Sequence, residues 1–133
     1  MCPETDFRKK NYDIDLDFGK VGESKVLEMF EGDGSIEVKT ERDTWKRTGN
    51  IAIEIRCHRI PSGISTTNAN TWIHLLSYNG KIEGGFLFKV KRLKHRIKKL
   101  LKTGEARKVF GGDGDNSELV LLPIKKIFEI SKM

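Results

Sequence analysis

The chain has 133 residues, 37% of them apolar and 33% charged, with a net charge of +6 and two cysteines. That length suits one domain with a thin core, burying roughly two-thirds of its unfolded surface. No apolar run of ~18 residues occurs, so no membrane-spanning helix is expected, and Met1 to Asp6 lack the apolar region of a secretory signal. Cys2 and Cys57 are too few for a disulfide framework or a Cys-rich zinc site, which points to a reducing, intracellular compartment.

The charge is unevenly spread. Residues 1–43 carry twelve Asp/Glu against seven Lys/Arg, whereas residues 89–102 carry eight Lys/Arg and no acid. An acidic half can hold cations and a basic helix can hold a polyanion. A nuclease needs both, and a nucleic-acid binder with an acidic face has the same composition.

Residues 1–12 are polar and aperiodic and read as a flexible arm, leaving 13–133 as one domain. Tyr12 to Phe18 alternate apolar and acidic, as in a short extended segment. Gly19 to Phe30 read as a helix, with Glu23, Val26, Leu27 and Phe30 on one face, stopped by Glu31-Gly32-Asp33-Gly34. Ser35 to Glu41 and Asn50 to Arg56 alternate strictly and read as strands. The polar stretch between them suggests an antiparallel hairpin. Arg59 to Ile64 read as a loop. Thr66 or Thr67 is a good N-cap for a helix from about Asn68 to Leu76. Asn79-Gly80 is a strong turn signal. Gly85 to Phe88 read as a strand. Lys89 to Lys102 read as a helix striped by Val90, Leu93, Ile97, Leu100 and Leu101 and ended by Gly104. Gly111 to Asn116 form a loop, Leu119 to Pro123 a buried strand, and Ile124 to Ile130 a last short element. The sum is an α/β domain with a small mixed sheet flanked by helices.

The chemistry-bearing residues lie around Glu37-Val38-Lys39. In a strand Glu37 and Lys39 share a face, with Ile36 and Val38 on the other. A symmetric hairpin centred on Trp45 and Lys46 sets Glu37 opposite Glu54. Opposed like charges repel unless a cation lies between them, and a divalent ion with oxygen ligands fits. Lys39 would then orient or deprotonate a water, or stabilise charge on a phosphate. Glu23, on the apolar face of the first helix, would reach the metal or its water shell, or pair with a lysine.

At this point the sequence resembles the PD-(D/E)XK nuclease superfamily. The matching residues are the helix glutamate Glu23 and the strand motif Ile36-Glu37-Val38-Lys39, in a similar order of elements. Within it, the stretches Thr48 to Glu54 and Pro61 to Thr67 look most like small phage-type and Holliday-junction-resolvase-like endonucleases. The resemblance covers roughly residues 13 to 90. It implies a restriction-endonuclease-like core and Mg²⁺-dependent hydrolysis of DNA phosphodiesters, with Mn²⁺ as substitute. It also implies the Val38 carbonyl as a further ligand, and the cytoplasm of a prokaryotic cell or phage-infected host as the location. The family's Asp, usually ten or more residues before (D/E)-x-K, has no counterpart at that spacing. Asp33, four residues before Glu37, is the nearest. The metal pair is therefore either Glu37 with Glu54, which the hairpin favours, or Asp33 with Glu37.

The basic helix offers Lys89, Lys91, Arg92, Lys94, Arg96, Lys98 and Lys99 to phosphates, with salt-dependent binding. Its bland alternative is a solvated helix face. Asn50 and Ser62 are further candidates for a phosphate or water, or simply turn and cap residues. Asp113 to Glu118 lack the spacing of a calcium loop. His58, His74 and His95 form no ligand pair. Trp72 reads as core, and Trp45, at the hairpin tip, as a contact to DNA or a second subunit. The expected function is a metal-dependent endonuclease on junction or branched DNA, working as a homodimer because two strands need two sites. The alternatives are a general or restriction-like nuclease and a non-catalytic nucleic-acid-binding protein.

Overall fold

A computed structural model describes residues 18–28 and 35–128. The chain divides after Gly34 into two units, each taken by itself. In the first, residues 18–28 are helical (α1), and Glu23, Val26 and Leu27 share one face by their spacing. The arm over 1–12, the extended residues 12–17, Asp33 and the helix stop lie outside the described residues, as does the end of the last element.

The second unit runs β1 (Ile36–Glu41), α2 (Thr44–Thr48), β2 (Asn50–Cys57), β3 (Ile60–Pro61), β4 (Thr71–Tyr78), β5 (Lys81–Lys89), α3 (Val90–Thr103), β6 (Arg107–Gly111) and β7 (Ser117–Pro123). The class is α/β, as the patterning predicts. The mixed sheet is three-stranded, in the order β1-β4-β5, and a second sheet is antiparallel, in the order β3-β2-β7-β6. Among the described residues no helix is long and apolar enough to cross a membrane.

The expected β1–β2 hairpin does not form. β1 runs parallel to β4, and β2 pairs with β7. The polar stretch between β1 and β2 is the short helix α2, which carries the chain from one sheet to the other. Trp45 fixes it there, donating from Nε1 to the Ser77 carbonyl at 2.6 Å. Trp45 is thus an internal anchor packed against the core rather than an exposed tip. The helix expected over 68–76 is also replaced, by strand β4. Trp72, Leu75 and Leu76 fit a helical spacing, but Trp72, His74 and Leu76 equally fit alternation. Pairing on both sides, to β1 and β5, decides for the strand. The strand β6 arises where no element was expected. Its Arg107 and Lys108 conceal the pattern, and pairing with β7 supplies it.

The core lies between the two sheets and α3. Ile51, Ile53, Val120 and Leu122 enter from the four-stranded sheet, and Trp72, Leu76 and Phe88 from the mixed one. Val90, Leu93, Ile97 and Leu100 enter from α3, as its stripe predicts. The first turn of α3 has no side-chain cap. Instead the Val90 N–H donates to the Asn70 carbonyl at 3.0 Å. Gly104 ends the helix at φ 80°, a left-handed value that glycine adopts without strain.

Two hairpin turns have the same shape and different residues. Asn79-Gly80 joins β4 to β5 with φ of 50° and 74°, and His58-Arg59 joins β2 to β3 with φ of 50° and 67°. Positive φ at both positions matches the right-handed twist of the flanking strands, and Asn-Gly is its favoured pair. A non-glycine residue there costs about 1–3 kcal/mol.

The faces of β1 are reversed relative to the apolar pattern. Val38 is 52% exposed, while Leu93 on α3 is 1% exposed. Val38→Ala should therefore change unfolding free energy by no more than about 0.5 kcal/mol. Leu93→Ala should cost about 2–5 kcal/mol, both read from urea denaturation.

Candidate functional site

β1 is an edge strand, and Glu37, Lys39 and Glu41 lie on the face that also carries Trp72, His74 and Leu76 of β4. That assignment follows from the parallel register, in which paired residues point the same way. The three charged side chains have distinct partners. Glu37 Oε2 accepts from the Thr67 hydroxyl at 2.7 Å, and its Oε1 lies 3.4 Å from Lys39 Nζ. Thr67 Oγ1 in turn accepts from the Ala69 N–H at 3.1 Å. Thr67, read from sequence as a helix cap, is therefore the hydroxyl that holds Glu37. No spacing could reveal this, because the two residues are brought together only by the β1–β4 pairing.

Glu41 is turned inward. The Trp72 indole N–H can only donate, and it lies 3.1 Å from His74 Nδ1, which must accept. The ring proton then sits on Nε2, which donates to Glu41 Oε1 at 2.9 Å. The same oxygen accepts the Ala52 N–H of β2. Trp72, His74 and Glu41 thus form a polar chain from the centre of one sheet to the open edge of a strand in the other. Neither Glu41 nor His74 was singled out from sequence, though a charged residue opposite a histidine on a buried face is a legible signal once the pairing is known.

Glu54 is elsewhere. It lies on the face of β2 opposite the buried Ile51 and Ile53, by alternation. Its two oxygens accept from Ser117 at 2.8 Å and from Ser62 at 3.0 Å. The loop bearing Ser62 lies so close that a Cβ on Gly63, at φ 56°, would collide with the Glu54 carbonyl. Ser62 is thus a partner of Glu54. Asn50, at the start of β2, pairs with Pro123.

Glu37 and Glu54 consequently do not make the pair that the hairpin required. They belong to different sheets, and each carboxylate has its own hydroxyl donors. Among the described residues no group of three or more His, Cys, Asp or Glu is arranged to hold a metal. Glu23 lies on α1 in the first unit, and Asp33 lies outside the described residues. Val38, expected to lend a carbonyl, sits between Glu37 and Lys39 with its side chain on the outer face.

The basic helix forms as expected. Its apolar stripe is buried, and Lys89, Lys91, Arg92, Lys98, Lys99 and Lys102 are exposed. Lys94 and Arg96 are half-buried. One acid follows its C-terminus. Glu105 accepts from the Thr103 hydroxyl at 3.0 Å and pairs with Lys126 at 3.4 Å. The Thr103 hydrogen bond, then Lys126 and Lys99, hold its carboxyl below the usual value.

Compared with known proteins, the chain matches no family model, no curated protein and no solved structure at a significant level.

Glu41→Ala leaves the His74 Nε2–H and the Ala52 N–H without their acceptor. Each orphaned donor costs about 1–3 kcal/mol, so this variant should be among the more destabilised single changes on β1 in urea denaturation. Thr67→Val, which removes two part-buried hydrogen bonds, to Glu37 and from the Ala69 N–H, should cost about 1–3 kcal/mol.

Proposed function

We propose that the chain binds nucleic acid through the outer face of α3. The observation that carries this reading is the division of one helix into two faces. The inner stripe of Val90, Leu93, Ile97 and Leu100 is committed to the core. The remaining positions carry eight Lys/Arg and no acid between 89 and 102. Like charges at i,i+4 destabilise a helix, so the cationic face opposes the fold and core burial offsets it. A polyanion relieves that repulsion. The apolar stripe is occupied, which disfavours a membrane-surface role for the same helix.

A second reading is hydrolysis of the bound phosphodiester, as the resemblance to PD-(D/E)XK nucleases implies. It is supported by the Glu37–Lys39 contact at 3.4 Å on an edge strand, with both side chains partly exposed. Lys39 would stabilise negative charge on a phosphate. Glu54, whose oxygens accept from Ser62 and Ser117, is the second carboxylate of this reading. A junction or branched substrate and a homodimer belong to this second reading.

Lys91 and Lys98 are exposed one heptad apart on α3 and share a face. The double variant Lys91→Ala/Lys98→Ala should weaken duplex DNA binding and flatten the slope of log K against log salt by about 2. Its thermal stability should be unchanged or raised, since two repelling charges are gone. Fluorescence anisotropy across a salt series reads the first, and thermal denaturation the second. Binding that is salt-insensitive in the wild type would refute the reading. For the second reading, a labelled four-way junction and its linear duplex are incubated with Mg²⁺ and with EDTA. Cleavage should be lost with EDTA and in Lys39→Ala.

A further inference from the structure

The four-stranded sheet continues past its buried rows into an open cleft of about 490 Å³. Its floor is one row across three strands, Phe110 of β6 facing Glu118 of β7 facing Arg56 of β2. Arg56 reaches this row because of an irregularity. The register of β2 against β7 shifts between Glu54 and Arg56, and the extra residue, Ile55, puts Arg56 on the side of Ile53 rather than of Glu54. Such bulges re-aim side chains. Phe110 is 69% exposed, and Arg56 Nε lies 4.0 Å from Glu118 Oε2. The rim is the His58-Arg59 turn, tied to the start of β7 by the His58 N–H donating to the Asn116 carbonyl at 2.9 Å. Asp115 lines the other side.

The turn is the second observation. In the other hairpin the positive φ values fall on Asn79-Gly80, the residue types favoured there, whereas here Arg59 holds φ 67° with a full side chain. A non-glycine residue held at positive φ at the lip of a cleft is a feature that clusters at binding sites.

We propose that this cleft holds one unpaired nucleotide of a nucleic-acid chain. The exposed face of Phe110 stacks on the base. Arg59 and Arg56 take the adjoining phosphate, for which a guanidinium fork is suited. Glu118 and Asp115 accept from base amino groups. Two arginines balanced by two carboxylates suit a single phosphate with a base rather than a polyphosphate. The cleft volume lies within the range of small-ligand sites. This rests on the reading of the chain as a nucleic-acid binder and adds which part of the polymer the cleft selects.

The test compares a short labelled single-stranded oligodeoxynucleotide with the blunt duplex of the same sequence, by anisotropy. Phe110→Ala should weaken single-strand binding about tenfold and leave duplex binding unchanged. Arg59→Gly should do the same while its melting temperature stays level or rises, because glycine suits φ 67°. Loss of affinity with gain of stability is not what a merely structural turn would give. Wild-type single-strand affinity in both variants would overturn the proposal, as would an equal loss on the duplex. If the wild type binds neither DNA, the α3 reading fails. The cleft is then judged alone, by titrating a nucleoside monophosphate against the Phe110 ring and Arg59 resonances. Shifts there that vanish in Phe110→Ala keep the cleft, and their absence overturns it.

Discussion

Trp72 and His74 are buried to within 2% of full enclosure, and their ring nitrogens must be paired. An unpaired buried polar group costs more than most contacts return. Trp72 meets one His74 nitrogen, and the other needs an acceptor that only a neighbouring strand can bring. Glu41 supplies it, and this fixes which face of β1 turns inward. Glu37 and Lys39 follow Glu41 to the inner face by strict alternation, and Val38 is left outside. The same carboxylate takes the Ala52 N–H at the open edge of β2, so one oxygen links both sheets. Polar satisfaction, rather than apolar burial, thus sets the facing of this strand.

The reach of local pattern is visible element by element. α3 was legible because its stripe, its charge and its stop at Gly104 all lie within fifteen residues or so. The β4–β5 turn was legible because Asn-Gly demands its own geometry. The strands β1, β2 and β7 were legible as strands. Their partners were not. A hairpin is the simplest partner for two alternating runs, but Trp45 finds Ser77 and folds the intervening residues into α2. β4 was misread because its apolar residues satisfy two periods at once, and β6 because its pattern appears only opposite β7. At the site, the Glu37-x-Lys39 face was legible, whereas Thr67 and the serines of Glu54 depend on pairings no spacing encodes. The hairpin that set Glu37 opposite Glu54 is absent, and the two carboxylates stand on strands of different sheets.

The distribution of charge follows the same logic. Glu37, Glu41, Glu54 and Glu105 are all engaged by hydroxyls, ring or backbone N–H groups or ammonium partners within the unit. Between 89 and 102 no acid interrupts the cations. These four carboxylates are drawn into internal hydrogen bonds, and the cations of α3 are presented outward along one helix.

The parallel pairing of β1 with β4 joins residues 35 apart, from Ile36 to Thr71 (71 − 36), whereas β4 and β5 meet across a two-residue turn. Loop-closure entropy therefore favours the hairpin forming first and β1 docking onto it afterwards. Reversal follows the same order. Because β1 stands at the edge of its sheet, it can detach while β4–β5 and the four-stranded sheet stay intact. Such an opening admits solvent to His74 and disperses Glu37, Lys39 and Thr67 in one event. The charged face of β1 and the sealing of the core are thus joined in one strand, so that whatever loosens one loosens the other.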